Sequence, residues 1–176
     1  MSKIGAVVWI TGLPGSGKTT FMESLKVELL NNSIRNICLD GDRIRDILGL
    51  TNSFYSKQER MELGFRYSKL CKYLSDQNHV VLIATVALFH EIQNWNRENL
   101  INYHEVFINV PFSEILERDQ KRLYSKFQSK QIINVVGLDI EFEAPINPDY
   151  IVCSDYASTN KIIDLIVNSL RSKINV

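Results

Sequence analysis

The chain has 176 residues, of which 45% are hydrophobic, and this suits one domain with a core large enough to fold alone. Its 20 basic and 20 acidic residues cancel, which argues against a nucleic-acid partner bound through bulk electrostatics. No apolar run reaches the roughly 18 residues of a membrane span, so no membrane association is expected. The three isolated cysteines lack metal-ligand spacing, which indicates reduced thiols and a cytoplasmic location.

Five apolar runs alternate with segments of helical periodicity along the chain. The predicted strands are Gly5–Thr11, Asn36–Asp40, Val80–Thr85, Glu105–Val110 and Tyr150–Cys153. The predicted helices are Lys18–Asn31, Ser56–Leu74, Leu88–Asn99, Ser113–Leu123 and Thr159–Leu170, and the stretch 124–148 has little clear periodicity. This alternation predicts a three-layer α/β fold with a five-stranded parallel sheet and helices on both faces.

A phosphate-binding loop is predicted between the first strand and the first helix. The residues Gly12, Leu13, Pro14, Gly15, Ser16, Gly17, Lys18 and Thr19 match the pattern G-x-x-x-x-G-K-[ST], and Thr20 follows them. Glycines let successive N–H groups face one anion, and the new helix adds the positive end of its dipole. Lys18 is expected to bridge the β- and γ-phosphates of ATP, and the Thr19 hydroxyl to bind Mg²⁺. The motif predicts the P-loop NTPase fold.

The pattern leaves several classes of P-loop protein open. Guanine-specific proteins carry N-K-x-D, whereas Asn160 and Asp164 here are one residue too far apart and lie in a helical pattern. The chain is also small for an ATPase motor. A small-molecule kinase is therefore favoured over a nucleotide switch, and a non-catalytic ATP-binding regulator remains an alternative.

Several further segments resemble the adenylylsulfate (APS) kinases. They are Trp9–Thr20, Leu39–Arg45, Ser56–Glu62, Arg118–Tyr124 and Gly137–Pro145, which follow the order of that family and span nearly the whole chain. APS kinases transfer the γ-phosphate of ATP to the ribose 3′-hydroxyl of APS. The resemblance implies one kinase domain over residues 1–176, with a lid segment at about 121–147 and a homodimer as its modest expectation.

The resemblance assigns roles to two carboxylates and a lysine. Asp40 and Asp42 match the family pair that serves as base and supports the magnesium shell, and Asp40 could contact the metal directly or through water. A carboxylate at the end of the second strand can accept or orient the proton of an acceptor hydroxyl. Asp42 is also predicted to cap a helix over Arg43–Leu48. Lys121 matches the lid lysine that closes over the transferring phosphate.

The acceptor side follows the family less closely. Arg45 and Arg60 match arginines that hold anionic groups of the acceptor, as their forked guanidinium groups can. The other acceptor-binding candidates, all placed by the resemblance, are Asp42, Tyr55, Leu63, Val135, Gly137 and Leu138. Near them, His90 replaces a family arginine, and Glu143 is predicted to be solvated.

Two of these replacements predict a changed acceptor. Leu63 stands where the family has an asparagine, and Val135 where it has one of the two aromatic rings that sandwich adenine. Losing a stacking ring removes about 1–3 kcal/mol per base, which can change base preference. The chain resembles the APS-kinase-like branch of cytidine diphosphoramidate kinases, which phosphorylate a cytidine nucleotide in capsule phosphoramidate synthesis. A divergent APS kinase of sulfate assimilation is the alternative.

Overall fold

The computed structural model describes residues 5–50, 56–119 and 122–174, which form five strands and seven helices. The strands are β1 (Ala6–Gly12), β2 (Asn36–Asp40), β3 (Val80–Thr85), β4 (Tyr103–Ile108) and β5 (Tyr150–Val152). The helices are α1 (Lys18–Asn31), α2 (Gly41–Ile47), α3 (Lys57–Ser75), α4 (His90–Asn99), α5 (Phe112–Arg118), α6 (Leu123–Gln128) and α7 (Tyr156–Ile174).

The strands form one parallel sheet in the order β2-β3-β1-β4-β5, which confirms the predicted fold class. β1 lies at the centre, and all of its residues are buried because both neighbours and both faces are covered. Because every pairing is parallel, the carboxyl ends of the five strands lie at one edge of the sheet. The phosphate loop leaves that edge from β1, with β3 and β2 on one side and β4 and β5 on the other.

Alternate residues of the strands face two separate hydrophobic clusters. On one face, Val8 and Ile10 pack with Leu25 of α1 and Ile166 of α7. On the other face, Val7, Trp9 and Ile83 pack with Cys71 of α3 and Ile92 of α4. This two-residue alternation follows from strand geometry and fixes α1 and α7 opposite α3 and α4. Trp9 is fully buried, as its position in an apolar strand indicates.

The helix ends confirm one predicted cap and correct another. Ser56 and Glu59 form the predicted capping box at the start of α3, in which the Ser56 N–H donates to Glu59 at 2.8 Å. The prediction that Asp42 caps a helix over 43–48 was wrong. The α2 helix begins at Gly41 directly after β2, so Asp40 is the cap and accepts the N–H groups of Asp42 and Arg43 at 2.9 and 3.2 Å.

The predicted helix over 113–123 is divided in the structure. The α5 helix ends at Arg118, and α6 begins at Leu123. Asp119 explains the new start, because its carboxylate accepts the N–H groups of Tyr124 and Ser125 at 3.1 and 3.0 Å. A side chain that satisfies backbone donors in this way starts a helix that hydrophobic periodicity alone did not predict.

None of the helices within the described ranges combines the length and the apolar character that a membrane span requires.

Candidate active site

The phosphate loop curls between β1 and α1 as its motif predicts. Gly15 and Gly17 have φ values of +80° and +98°, a left-handed conformation that residues with a Cβ rarely adopt. Gly17 is the residue that precedes α1, and the Ser16 N–H donates to the Leu13 carbonyl at 3.1 Å, which closes the curl. The loop glycines are therefore required by backbone geometry.

Lys18 and Thr19 lie in the first turn of α1, where the positive end of the helix dipole is concentrated. The Lys18 side chain is buried under the loop, and its Nζ donates to the Leu13 carbonyl at 2.7 Å. Thr19 is exposed on the same turn. The structure thus places an ammonium group and a hydroxyl at the start of one helix, beside the N–H groups of the loop.

Asp40 lies beside this loop, because the Thr19 hydroxyl donates to its Oδ2 at 2.9 Å. Its other oxygen, Oδ1, accepts the two N–H groups at the start of α2. Asp42 forms an ion pair with Arg45 on the surface of α2. Of the two carboxylates that the resemblance paired, Asp40 therefore has a hydrogen bond to Thr19 of the loop, and Asp42 has an ion pair within α2.

The pair of Thr19 and Asp40 fits a magnesium ion. A hydroxyl and a carboxylate are hard oxygen donors, and their 2.9 Å separation lets them share one ion. Within the described residues no group of three or more His, Cys, Asp or Glu side chains could hold a metal. The donor set therefore suits Mg²⁺ that also takes phosphate oxygens and water, as this ion usually does, and does not suit an all-protein cage.

Buried hydroxyl residues lie at the phosphate loop, and two of them, Thr11 and Thr85, were not among the predicted site residues. Thr11 and Thr85 are paired in register at the carboxyl ends of β1 and β3, and Ser16 lies in the loop above. Thr11 Oγ1 and Ser16 Oγ have no hydrogen-bond partner within the described part of the chain. A polar residue at the end of an otherwise apolar strand is the signal that could have identified Thr11 and Thr85.

Of the predicted acceptor residues, Arg60 and Leu63 lie on α3, whereas Val135 lies in the loop after α6. Arg60 on α3 donates from Nη2 to the Asn134 carbonyl at 2.6 Å, which joins α3 to the loop that contains Val135. Leu63 and Val135 are buried in different hydrophobic clusters, 6% and 3% exposed. Both have packing roles, and their contact with an acceptor stays a prediction.

Gly137 contacts the phosphate loop, since a Cβ at this glycine would lie 3.0 Å from Leu13 Cδ2. Leu138 beside it is 36% exposed. Tyr55 and Lys121, the other predicted acceptor and catalytic residues, lie outside the described residues.

Glu143 is held by the protein, so the prediction that it is solvated was wrong. Its Oε2 accepts the His90 N–H at the start of α4 at 2.7 Å, and Oε1 lies 3.5 Å from Lys57 Nζ. These groups, led by the His90 N–H, lower the pKa of the Glu143 carboxyl. His90 Nε2 also lies 2.9 Å from the Ala144 carbonyl oxygen. Residues 143 and 144 are therefore fixed to the start of α4, at the histidine that replaces a family arginine.

A pocket of about 460 Å³ opens on the other side of the phosphate loop, at the carboxyl ends of β4 and β5. Its lining residues are Asn109, Pro111, Glu114, Cys153, Ser154 and Asp155. Glu114 is adjacent in α5 to Ile115, whose Cγ2 would be 3.4 Å from a Cβ at Gly15. Asp40 therefore lies on the β2 side of the phosphate loop, and the open pocket lies on its β4–β5 side.

The chain is similar in sequence to known proteins. The family model described as "Adenylylsulphate kinase" matches residues 4–153. The chain is similar to the cytidine diphosphoramidate kinase of Campylobacter jejuni, with 43% identity over 79% of this chain and 81% of the relative. It is also similar to the adenylyl-sulfate kinase of Staphylococcus carnosus, with 34% identity over 95% of this chain and 84% of the relative.

The fold is likewise similar to solved structures. The APS kinase CysC of Mycobacterium tuberculosis, in complex with AMPPNP and APS, superimposes with a TM-score of 0.86 at 30% identity. The alignment covers 96% of this chain and 98% of that chain. A shikimate kinase from Aquifex aeolicus, with 20% identity and a TM-score of 0.55, shares the fold alone.

Proposed function

The chain belongs to the adenylylsulphate kinase family, whose members are phosphotransferases that act on a hydroxyl group. From this premise we propose that it transfers the γ-phosphate of ATP to the ribose 3′-hydroxyl of a nucleotide acceptor. The observation that carries the proposal is the 2.9 Å contact between Thr19 and Asp40, which joins the phosphate loop to a carboxylate. A kinase requires these two features side by side.

On the donor side, the loop N–H groups and Lys18 would hold the phosphates of ATP. The base and ribose would occupy the pocket at the ends of β4 and β5, which is next to the loop and opposite Asp40. Thr19 and Asp40 would hold Mg²⁺, which when bound neutralises charge on the phosphates. The donor is thereby oriented with its terminal phosphate toward the Asp40 side of the loop.

On the acceptor side, Asp40 would orient the attacking hydroxyl and take its proton. The new bond forms between the hydroxyl oxygen and the γ-phosphorus, while the bond from that phosphorus to the β-phosphate oxygen breaks and ADP leaves. Lys18 would stabilise the charge that develops on the transferred group, and Lys121 is proposed to approach it when the lid closes. The whole step relies on positioning and electrostatics.

For the acceptor we propose cytidine diphosphoramidate. The relative at 43% identity bears the name cytidine diphosphoramidate kinase, and Val135 offers no ring face for an adenine. Its side chain is also withdrawn into the hydrophobic core. An adenine would therefore lose one stacking partner, worth about 1–3 kcal/mol, whereas a smaller pyrimidine depends less on that contact.

The second candidate acceptor is APS. The adenylyl-sulfate kinase relative matches over 95% of this chain. Arg60, which lies close to the Asn134–Val135 segment, would serve the anionic end of either acceptor. The two candidates differ in the base and in the terminal group, sulfate or phosphoramidate, so a direct comparison of acceptors separates them.

The test is an ADP-release assay with Mg-ATP and four acceptors: cytidine diphosphoramidate, CDP, CMP and APS. We expect the highest kcat/KM with cytidine diphosphoramidate, and a product with one added phosphate by mass spectrometry and phosphorus NMR. Lys18→Ala should abolish transfer, while Lys161→Ala, an exposed lysine of α7, should not.

Each contrary outcome has its own meaning. Turnover with APS alone would replace the proposed acceptor by the second candidate. Tight ATP binding without turnover of any acceptor would favour a non-catalytic ATP-binding regulator. Retained transfer in Lys18→Ala would contradict the donor site.

A further inference from the structure

A tyrosine from the second half of the chain contacts the backbone of the phosphate loop. The Tyr124 hydroxyl of α6 donates to the Pro14 carbonyl at 2.9 Å, although 110 positions separate the two residues. The Tyr124 side chain is 3% exposed, and its ring meets the Phe112 ring edge to face at a centroid distance of 5.6 Å. The hydroxyl is therefore aimed at the loop by packing on its own ring.

This hydrogen bond fixes the direction of the Pro14 carbonyl and, through the planar peptide, the direction of the next N–H group. In a planar trans peptide, the C=O of one residue and the N–H of the next point in opposite directions. The peptide between Pro14 and Gly15 is trans, like every other described peptide bond. When Tyr124 holds the Pro14 carbonyl toward α6, the Gly15 N–H must point away from α6. A phosphate cradle requires successive N–H groups turned to one side.

The tyrosine itself is well fixed. Asp119 accepts the Tyr124 N–H and the N–H of Ser125, so the first turn of α6 is tied to the end of α5. Burial raises the pKa of the Tyr124 hydroxyl to about 12, so the group remains a hydrogen-bond donor throughout the physiological range. Gly137 packs against Leu13 nearby, so a second part of the same region supports the loop.

We propose that Tyr124 is a positioning residue for phosphate binding, because its hydroxyl sets the orientation of the Pro14–Gly15 peptide and thereby of the Gly15 N–H. The proposal rests on the proposed function in one respect, namely that this loop binds the phosphates of the donor. It gives the segment after α5 a role in ground-state binding of the donor, in addition to any lid movement.

The first test compares Tyr124→Phe with wild type by isothermal titration calorimetry, using ATP and inorganic tripolyphosphate as separate probes. Tripolyphosphate has no base or ribose, so it reports on the cradle alone. We expect the dissociation constants of both probes to rise by about fivefold, the equivalent of one ordinary hydrogen bond of about 1 kcal/mol. Tyr73→Phe is the matched control, since Tyr73 is 67% exposed on α3, and its constants should equal those of wild type.

A second test uses the wild-type protein and does not depend on a variant that folds. In amide NMR spectra, addition of tripolyphosphate should shift the Gly15 N–H proton strongly downfield, as expected for a new charge-assisted hydrogen bond. An unshifted Gly15 signal, alongside shifts at other loop amides, would overturn the proposal.

The outcomes separate this proposal from the proposed function. If wild type bound neither ATP nor tripolyphosphate, the donor site itself would be wrong. If wild type bound both and Tyr124→Phe bound them equally well, only the role of Tyr124 would be refuted. A loss confined to ATP would also refute it, because the effect would then lie on the base or ribose.

Discussion

Asp40 uses its two carboxylate oxygens for two separate tasks. Oδ2 accepts the Thr19 hydroxyl beside the phosphate loop, and Oδ1 caps α2. One residue therefore both starts a helix and completes the proposed catalytic site. Substitutions at this position can separate the tasks, since Asn caps helices about as well as Asp but cannot serve as a base.

We predict that Asp40→Asn lowers kcat by about 10²–10⁴-fold, the usual contribution of a general base, with little loss of stability. Asp40→Ala should lose the cap as well, at about 1 kcal/mol in the free energy of unfolding. Steady-state kinetics and urea denaturation measure the two effects. Wild-type activity in Asp40→Asn would remove Asp40 from the chemistry.

His104 lies away from the candidate site and makes the free energy of unfolding depend on pH. It is buried in β4, and burial, with the nearby Lys173 ammonium, lowers the pKa of its imidazole, while Asp149 opposes this in part. Once unfolded, the ring returns to its ordinary pKa of about 6.5. Below that pH the unfolded chain binds a proton that the folded chain does not, so stability falls as pH falls from about 6.5 toward the folded pKa.

We therefore predict that His104→Gln loses less stability than wild type between about pH 7 and about pH 5.5. The measurement is urea denaturation at a series of pH values. Equal pH dependence in wild type and His104→Gln would show that His104 is protonated to the same extent in the folded and unfolded chains.

At the scale of elements, α3 has a capped start and supports the proposed acceptor side. Its capping box satisfies backbone donors that would otherwise be open, and the helix then presents Arg60 to the Asn134 carbonyl. Tyr67 of the same helix donates from its hydroxyl to the Gly41 carbonyl at 2.9 Å, so α3 also contacts the turn after Asp40. The helix thus connects the turn after Asp40 to the proposed acceptor loop.

We predict that Ser56→Ala destabilises the protein by about 1 kcal/mol, because the cap is lost. For a chain of this size, that corresponds to a decrease in Tm of about 2–4 °C. Ser172→Ala, on the exposed side of α7, should change Tm much less. Differential scanning calorimetry on both variants measures the difference, and equal Tm values would contradict a role for the cap.

How far the sequence predicts these elements depends on whether local patterns decide them. The strands and the phosphate loop follow from apolar runs and a motif that backbone geometry requires, so the strand bounds were predicted to within two residues, the largest difference being β4, which begins at Tyr103 and ends at Ile108. The division of α5 from α6 depends on Asp119, and the tethering of Glu143 depends on a helix start 53 positions away. The Asp119 contact is a local cap that hydrophobic periodicity does not contain, and the Glu143 contact is set by the tertiary fold.

The site shows the same contrast. The contact of Asp40 with the loop follows from strand ends that meet at one edge of a parallel sheet. The burial of Leu63 and Val135 does not follow from the strand pattern. It depends on how α3 and the 134–140 loop pack on different hydrophobic clusters. The roles of Tyr55 and Lys121 stay predictions, as does the homodimer, for which sedimentation analysis is the direct measurement.

At the scale of the whole molecule, the strand order separates the two sides of the site. Cys153 is exposed in the pocket at the end of β5, whereas burial raises the pKa of the Cys71 thiol and makes that residue a poor nucleophile. Cys153 is therefore a probe for the proposed position of the donor base.

We predict that iodoacetamide modifies Cys153 faster than Cys71, and that Mg-ATP slows the modification of Cys153 by about tenfold when the site is about 90% occupied. Peptide mass spectrometry over a time course measures both rates. Unchanged labelling at saturating ATP would place the donor base elsewhere.

The separation of the carboxylate side from the pocket side also has a kinetic meaning. If each nucleotide reaches the central loop through its own opening, neither has to leave before the other can enter. ADP would then compete with ATP but not with the acceptor, and raising the acceptor concentration would not relieve inhibition by ADP. The strand order β2-β3-β1-β4-β5 thus predicts that double-reciprocal plots of initial rate against ATP concentration, at several acceptor concentrations, intersect.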